Sequence, residues 1–447
     1  NVDTEGYTRQ KVVLGTNPPN QPTRYSTRNY DVGTGVRIED VVRTYSGMKE
    51  STLLSQLSDY NLHAQLANAL PEVEALIQGD GDASLATCLS EFWTAWQDVA
   101  MNPDNMAMRN VLLEKAGALA DQFNELATRL DNYTGGIADG AGPDFSGIVP
   151  TIADEINTMA SEIQSLNQRI TIATNQGVNA NDLMDKRDTL IRSLSEKTNI
   201  SVDADKTVTI DGQVLVSGDG TVLNELTVTS TSPITLAIDG VNVSITGGEL
   251  GGWLQTAAIT DTLRTDLDAM ANELATQVNA LHTTGYDLDG NLGVDFFTGT
   301  GADGIAVNAL LYNGSNPLLN NPRLVAAAAT LYDAGPPAVP NTGDGAIALA
   351  IADLCKTDIA ALGDLTFSEY YTNLLTSLGT DIETEQALAD NGESVINTLL
   401  TAIQSESGVN LDEEMIDMIS AQRAFQAASR LVVTIDEMMD VIINQMG

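Results

Sequence analysis

The chain has 447 residues, of which 61 are Asp or Glu and 21 are Lys or Arg, so its formal net charge at pH 7 is −40. A nucleic-acid backbone and an anionic membrane surface both attract positive charge, so this balance argues against both as partners. The length allows two to four domains. No apolar run approaches the roughly 20 residues of a membrane span, and we expect a soluble chain.

Residues 1–44 are predicted to be irregular or β-like. The opening NVDTEGYTRQ concentrates turn-forming residues. A Pro-rich loop follows at 17–26, and the alternation of Val36, Ile38 and Val41 indicates a strand. We therefore predict that residues 1–44 form a separate irregular or β segment before the first helix.

Helices are predicted over 45–199. A helical period begins near Tyr45, and we expect Pro71 to kink or interrupt that helix. A second helix covers 85–101, and a third follows Asn102, the expected N-cap, with Pro103 at the first helical position. The next helix has the clearest pattern, because its apolar residues recur in steps of four and three and predict a coiled-coil-like seam. The seam residues are Ile152, Ile156, Met159, Ile163, Leu166, Ile170 and Ala173.

The hydrophobic period changes to two over 200–246. Asp-Gly pairs supply the positive φ angles of type I′ turns, so Asp211-Gly212 and Asp239-Gly240 each predict a β-hairpin. The stretch GGELGGW closes the segment. We predict a small inserted β domain at 200–249.

A second helical part is predicted at 250–410. Residues 283–345 are rich in Gly, Asn and Pro and are expected to be mostly irregular. Helices are predicted at 366–390 and 393–405, the first opening on the capping-box pair Thr366 and Glu369. The intervening loop DLDGNLGVDFF has some calcium-loop spacing, but its Gly comes one residue late and Thr298 replaces the bidentate Glu. We interpret it as a tight Asx-rich turn.

The final segment, 411–447, is predicted to be one amphipathic helix with Asn410 as its N-cap and an acidic first turn. Its apolar face is broad, and a terminal helix with such a face needs a partner. A helix–helix seam is the interpretation we favour. The predicted assembly or packing residues are Leu411, Met418, Phe425, Leu431, Val432, Ile435, Met438, Met439 and Ile442.

Catalytic and metal-binding patterns are missing from the sequence. Cys88 and Cys355 are too few for a disulfide framework and are interpreted as core residues. Neither His63 nor His282 has a Cys or a second His at ligand spacing. No nucleophile elbow, zinc-protease helix or P-loop occurs. We therefore predict no catalytic residue, no cofactor and no metal.

Both ends of the chain resemble bacterial flagellar proteins. The opening resembles the N-x-x-T-x-G-Y-x-R-Q signature of flagellar axial proteins, which follows an N-terminal helix in that family. The chain is therefore expected to begin just after that helix, with Gly6, Tyr7 and Arg9 as further assembly or packing residues. The ending SGVNLDEEMIDMISAQRAFQAASRLVVTIDEMMDVII is similar to that of the hook-associated protein 1 family. So are the stretches at 181–196, 248–254 and 278–297.

This resemblance implies a mainly α fold with a small inserted β domain, in an elongated multi-helix bundle of flagellar axial-protein type. It implies a structural subunit, not an enzyme, that is secreted by the flagellar type III apparatus and joins hook to filament outside the cell. The implied partners are copies of the chain, the hook protein, the second junction protein and a flagellar export chaperone. A fragment without the N-terminal helix is expected to be monomeric.

Other interpretations stay open at this point. The chain could be another flagellar axial protein, either the hook protein or the second junction protein, although the SGVNLDEE ending and the long helical middle favour the hook-associated protein 1 family. A calcium-stabilised secreted adhesin is a candidate from another class, and it would respond to a chelator. A hydrolase that uses scattered carboxylates has no supporting motif.

Overall fold

The computed structural model describes residues 6–16, 36–79, 84–138, 147–231, 233–333, 339–409 and 411–446. Helices dominate these ranges. They are α1 (Gly47–Gln78), α2 (Leu85–Met101), α3 (Met106–Ala138), α4 (Ile148–Asn175), α5 (Asn181–Lys197), α6 (Gly248–His282), α7 (Ala346–Asp353), α8 (Phe367–Ser407) and α9 (Leu411–Met446).

The strands form small antiparallel sheets. An N-terminal hairpin pairs β1 (Gln10–Thr16) with β2 (Val36–Arg43). Two three-stranded sheets lie between α5 and α6, with strand orders β3-β4-β5 and β6-β7-β8. Their bounds are β3 (Ser201–Val202), β4 (Val208–Ile210), β5 (Gln213–Val216), β6 (Leu226–Thr231), β7 (Ile234–Ile238) and β8 (Val241–Val243). Later pairs join β9 (Phe297–Thr298) to β10 (Ala306–Val307), and β11 (Leu331–Asp333) to β12 (Val339–Pro340). The prediction of a mainly α fold with a small β part is confirmed.

Helix packing builds the core. Helix α1 packs against α8 and α6, and α2 packs against α3. The predicted seam of α4 faces inward, with Ile156 and Ile163 fully buried and Met159 half-buried. A cluster of aromatic side chains lies in this core. In it, Phe92 and Trp96 of α2 contact each other and Phe296, which comes from the segment after α6. The apolar period of the helices therefore accounts for most of the core.

Both predicted β-hairpins between α5 and α6 are confirmed. Asp211 and Gly212 have φ angles of 48° and 75°, and Asp239 and Gly240 have 50° and 74°, as a type I′ turn requires. The buried residues of these sheets, such as Val208 and Leu236, join the same hydrophobic cluster as the helices. The two sheets also contact α4. They therefore share the helical core, and the bounds given for an inserted domain stay a prediction.

Buried polar side chains fix the irregular segment that follows α6. Arg109 is 1% exposed and donates to the main-chain oxygens of Pro103, Pro322 and Val325. Asn279 accepts from the main-chain amides of Phe296 and Phe297. Because buried main-chain groups need partners, these side chains take the place of regular secondary structure there.

Three local predictions are wrong, the first of them in part. Pro71 does not interrupt α1, since buried Leu70 and Val73 pack on either side of it and outweigh the lost hydrogen bond; a kink at Pro71 stays a prediction. The cap of α3 is not Asn102. Asn105 accepts from the amide nitrogens two and three residues ahead of it, at 3.0 and 3.4 Å.

The third wrong prediction is a break between helices at 390 and 393, because α8 is continuous. Gly392 lies against Tyr60 of α1, and a Cβ there would come within 3.3 Å of the Tyr60 Cβ. This glycine therefore permits close helix packing. The capping box of Thr366 and Glu369 at the start of α8 is confirmed. The predicted loop at 17–26 and the predicted cap Asn410 lie outside the described residues.

Candidate assembly interface

Helix α9 carries a large uncovered apolar surface. Every described side chain from 412 to 441 is exposed. Phe425 is 74% exposed, and Leu431 and Val432 are each 64% exposed. A helix of this kind gains little stability from its own chain and would expose a continuous apolar patch to water. The exposed apolar residues are Met415, Ile416, Met418, Ile419, Phe425, Leu431, Val432, Val433, Ile435, Met438, Met439 and Val441.

The start of α9 is held by Arg9. Its guanidinium contacts Glu413 at 2.6 Å, Glu414 at 3.3 Å and Asp417 at 3.8 Å. Its main-chain amide donates to the oxygen of Ser407, the last residue of α8, at 2.7 Å. Arg9 therefore links the segment before β1 to both helices of the C-terminal part.

Gly6 and Thr8 place this segment on α5. Gly6 has a φ of 75°, a conformation that favours glycine, and a Cβ there would meet the Thr189 hydroxyl at 2.2 Å. The Thr8 hydroxyl donates to Asp185 at 2.6 Å. Tyr7 lines a cleft of about 880 Å³ between this segment and helices α4 and α5. The opening motif thus forms a short bracket between α5 and the C-terminal helices.

A buried ionic network anchors the hairpin on α5. Arg43, with a side chain 8% exposed, contacts Asp185 at 2.6 Å and Asp188 at 3.0 Å. Burial lowers the pKa of Arg43, but attraction by the two carboxylates outweighs it and keeps that pKa above its ordinary value.

Neighbouring polar groups extend this network. Burial, with the carboxylates of Asp188 and Glu50, raises the pKa of Tyr45 to about 12. The asparagines Asn179 and Asn181 add hydrogen bonds to the oxygen of Val41.

The structure brings only some of the predicted site residues together. Arg9 meets the first turns of α9, whereas Gly6 and Tyr7 contact α4 and α5. The predicted stripe residues Met418, Phe425, Leu431, Val432, Ile435, Met438 and Met439 lie exposed along α9. Leu411 and Ile442 belong to α9, but their side chains lie outside the described residues. Their roles in assembly stay predictions.

The ionic network of Arg43 and part of the apolar surface of α9 were not predicted from the sequence. Arg43 and Asp185 lie 142 positions apart, and no local pattern predicts such a pair. The apolar surface of α9 is also wider than the predicted face, because Ile416 and Val433 are exposed too. The spacing of Met415 and Ile419 by four residues places them on one side of the helix, and it could have been used to predict this wider apolar surface.

No candidate metal centre occurs in the described ranges. They contain no group of three or more His, Cys, Asp or Glu side chains that could hold a metal ion. In the calcium-like loop, Asp287 accepts from the amides of Asp289 and Asn291, and Asp289 pairs with Arg323. His63 on α1 pairs with Glu385 on α8. None of the helices in the described part has the length and hydropathy needed to cross a membrane.

Comparison with protein families identifies two matching models. A model described as the flagellar hook-associated protein FlgK helical domain matches residues 70–297, slightly more than half of the chain. A second model, described as the flagellar basal body rod FlgEFG protein C-terminal family, matches residues 402–446. The second match covers all of α9 and the end of α8.

Curated relatives share the same name. Flagellar hook-associated protein 1 of Bacillus subtilis (strain 168) is 28% identical, and the match covers 100% of this chain and 93% of the relative. The Escherichia coli (strain K12) protein of that name is 25% identical, with 98% and 94% covered. The solved structure of the flagellar hook junction protein FlgK from Burkholderia pseudomallei shares the fold. Its TM-score is 0.62 at 16% identity, over 79% of this chain and 100% of that one.

The resemblance read from the two ends of the sequence is confirmed by these matches. The longest matching model spans the end of α1, the helices α2 to α6 and both β-hairpins between α5 and α6. The chain belongs to the flagellar hook-associated protein FlgK helical domain family.

Proposed function

We propose that the chain is a structural subunit of the bacterial flagellum that forms part of the junction between hook and filament and performs no catalysis. The observation that carries this proposal is the uncovered α9, whose apolar side chains are exposed over about 30 described residues. The curated relatives are named as hook-associated proteins, and the solved relative is named as a hook junction protein.

Assembly would proceed through α9 and the segment that Arg9 ties to it. A surface that apolar is stabilised when another helix covers it, because each buried Leu, Ile, Met or Phe side chain contributes about 1.5–3 kcal/mol. Contacts through different surfaces of each subunit would generate a helical array. We also propose that the chain is divided as its sequence predicts. The helical parts are 45–199 and 250–410, the inserted β domain is 200–249, and the terminal segments are 1–44 and 411–447.

The proposed partners are further copies of the chain, the hook protein and the second junction protein. An export chaperone would cover α9 before assembly, since an exposed apolar helix promotes aggregation. The subunit would be secreted by the flagellar export apparatus and act outside the cell. These partners come from the family resemblance, and the chemistry of α9 supports a helical, apolar contact with each.

A complementation experiment tests the proposal. The full-length gene is supplied to a strain of its own bacterium from which that gene has been deleted, and filament attachment to hooks is scored by electron microscopy. We expect the unsubstituted gene to restore attachment. Val432→Asp combined with Met439→Asp should abolish it, because both place carboxylates in the contact.

The matched control is Ser429→Asp, an exposed polar position on the same helix, which should retain attachment. Attached filaments in the deleted strain would contradict the proposed function. Normal attachment with the double α9 variant would contradict assembly through this helix.

A further inference from the structure

Methionines are concentrated in α9. The chain has 12 methionines among 447 residues, and five of them lie within the 36 residues of α9, at Met415, Met418, Met438, Met439 and Met446. At the frequency of the whole chain, a segment of that length would contain about one. Methionine is unbranched and adapts its shape to its neighbours, and its thioether sulfur can be oxidised. Helix α9 therefore differs from the rest of the chain in its sulfur chemistry.

Four of these five side chains are described by the structure, and all four are open to solvent. Met415, Met418, Met438 and Met439 are each 50–55% exposed, and we name these four residues the methionine group. By contrast, Met270 on α6 is fully buried in the core. A small oxidant in solution therefore reaches the methionine group in the folded chain, whereas it reaches Met270 only when the chain opens.

The methionine group lies within the proposed contact surface of α9. Steps of seven residues place Met418 and Met439 on one side of the helix, together with the exposed Phe425 and Val432. A helix that covers this side would bury the two thioethers along with the phenyl ring and the valine. The oxidation state of the sulfur atoms therefore bears directly on the contact.

Oxidation converts a methionine side chain from apolar to polar. In the reaction with hydrogen peroxide, the O–O bond breaks, one oxygen atom forms a bond to the thioether sulfur, and the other leaves as water. The sulfur is oxidised by two electrons to a sulfoxide, and the peroxide is reduced by the same two electrons. The sulfoxide oxygen accepts hydrogen bonds, so burying it on an apolar surface without a donor is unfavourable. A sulfoxide on α9 would therefore oppose covering of the helix.

We propose that the methionine group is an oxidation site that controls assembly: a peroxide oxidises it in the unassembled subunit, and the sulfoxides prevent that subunit from joining the junction. Once assembly covers α9, the same thioethers are shielded from the oxidant. The modification is reversible, because methionine sulfoxide reductases, one for each sulfoxide epimer, use two thiols to remove the oxygen as water and leave a disulfide. This inference rests on the proposed function, because it requires assembly to cover α9.

A partition experiment tests the proposal without any substitution. Full-length protein is partly oxidised with hydrogen peroxide, the peroxide is removed, and the protein is added to hooks isolated from the deleted strain. Mass spectrometry then compares the sulfoxide content of the subunits that join the hooks with that of the subunits that stay free. We expect sulfoxides of the methionine group to be depleted at least about tenfold in the joined subunits, because each would bury an unpaired polar group.

Exposed methionines outside α9 provide the internal control. Met48 on α1 and Met101 at the end of α2 are 83% and 71% exposed, so they are open to the same oxidant. Neither lies in the proposed contact surface. Their sulfoxides should therefore be equally abundant in the joined and the free subunits.

Leucine variants test the same assignment by a second route. Leucine has nearly the volume of methionine and no sulfur, so the methionine group is replaced by four Met→Leu substitutions in one variant. For each protein, the readout is the ratio of joining after and before peroxide treatment, which cancels any effect of the leucines on joining itself. We expect this ratio to stay near one in the α9 variant. Met48→Leu with Met101→Leu is the matched control and should lose as much joining as the unsubstituted protein.

Enzymatic repair distinguishes sulfoxides from oxidised thiols. Cys355 is half-buried and could also react with peroxide. Both methionine sulfoxide reductases, supplied with dithiothreitol, should restore joining of the oxidised protein. Dithiothreitol alone should not restore it, because it reduces disulfides and leaves sulfoxides in place.

The outcomes separate this inference from the proposed function. If untreated protein joins the hooks and α9 sulfoxides are as abundant in the joined as in the free subunits, the oxidation site is overturned and the proposed function stands. Equal depletion of sulfoxides at Met48 and Met101, or full recovery with dithiothreitol alone, would also overturn the site. Failure of the untreated, unsubstituted protein to join the hooks would overturn the proposed function and, with it, this inference.

Discussion

The guanidinium of Arg9 lies 2.6 Å from the carboxylate of Glu413, although 404 positions separate the two residues in the chain. This contact joins the segment before the hairpin to the first turn of α9. The main-chain bond from Arg9 to Ser407 lies beside it. A residue of the opening motif therefore contacts both the end of α8 and the start of α9.

Arg9→Ala should loosen the start of α9. We expect faster amide hydrogen exchange at 412–420 and a nearly unchanged melting temperature, because exposed ion pairs contribute little to global stability. Arg9→Lys is the matched control. Its exchange rate at 412–420 should fall between those of the unsubstituted protein and Arg9→Ala, because lysine retains the charge and lacks the forked donors of the guanidinium. Identical exchange in all three proteins would show that the ion pairs of Arg9 do not hold the start of α9.

Arg43→Leu should destabilise the folded chain. The substitution leaves Asp185 and Asp188 as neighbouring, mostly buried carboxylates, and breaking a buried pair in this way costs about 3–5 kcal/mol. Urea unfolding measures the change in the free energy of unfolding. Arg37→Leu, an exposed position on the same hairpin, should change it by less than about 0.5 kcal/mol. A loss below about 1 kcal/mol in Arg43→Leu would mean that the hairpin does not depend on this pair.

Ile156→Asp or Ile163→Asp should each destabilise the helical core by several kcal/mol. Both side chains are fully buried on α4, and an unpaired carboxylate there has no donor to compensate its lost hydration. Thermal unfolding measures the effect, with the exposed Ser161→Asp on the same helix as the control. An unchanged melting temperature in either isoleucine variant would show that the seam is open to solvent.

Acid should destabilise the chain through His282. This ring is fully buried, donates from Nδ1 to the oxygen of Val294 at 2.5 Å and accepts at Nε2 from the amide of Ala326 at 2.8 Å. Burial, reinforced by the nearby Arg109 charge, lowers its pKa to about 4. The unfolded chain takes up the proton near pH 6.5. The contribution of the neutral His282 ring to the free energy of unfolding is therefore fully present above pH 6.5. It is lost as the pH falls from 6.5 to about 4.

The pH dependence of a substituted chain isolates this contribution. Between pH 7.5 and 4.5, His282 should account for a loss of roughly 2–3 kcal/mol in the free energy of unfolding. His282→Gln does not titrate and can retain the hydrogen bond made at Nε2, so its loss over the same interval should be smaller by that amount. Equal losses in the two proteins would show that carboxylates alone govern the acid response.

Much of the fold was predictable because short-range patterns determine it. The four-and-three spacing of α4, the Asp-Gly turns at 211–212 and 239–240, and the Thr366 capping box each depend on neighbours in sequence. Two of the three failures had tertiary causes. Pro71 stays helical because of packing, and the position of Gly392 has meaning only when α1 lies beside it.

The presence of an assembly helix was predictable from the sequence, but the contacts that hold its start were not. The apolar period of the last 37 residues indicated an assembly helix. The contacts of Arg9 with Glu413 and of Arg43 with Asp185 were not predictable, because the partners lie 404 and 142 positions apart in the sequence. Only the resemblance of the opening motif drew attention to Arg9.

Helix α9 is uncovered in the single chain, and we propose that assembly covers it. Amide hydrogen exchange of residues 412–441, measured in dilute, monomeric full-length protein and in isolated hook–filament junctions, tests it most directly. We predict rapid exchange in the monomer, where the final turns also carry Asp436, Glu437 and Asp440 at the negative end of the helix dipole, and strong protection in the junction. Equal protection of α9 in the dilute monomer and in the junction, or rapid exchange in both, would contradict the account.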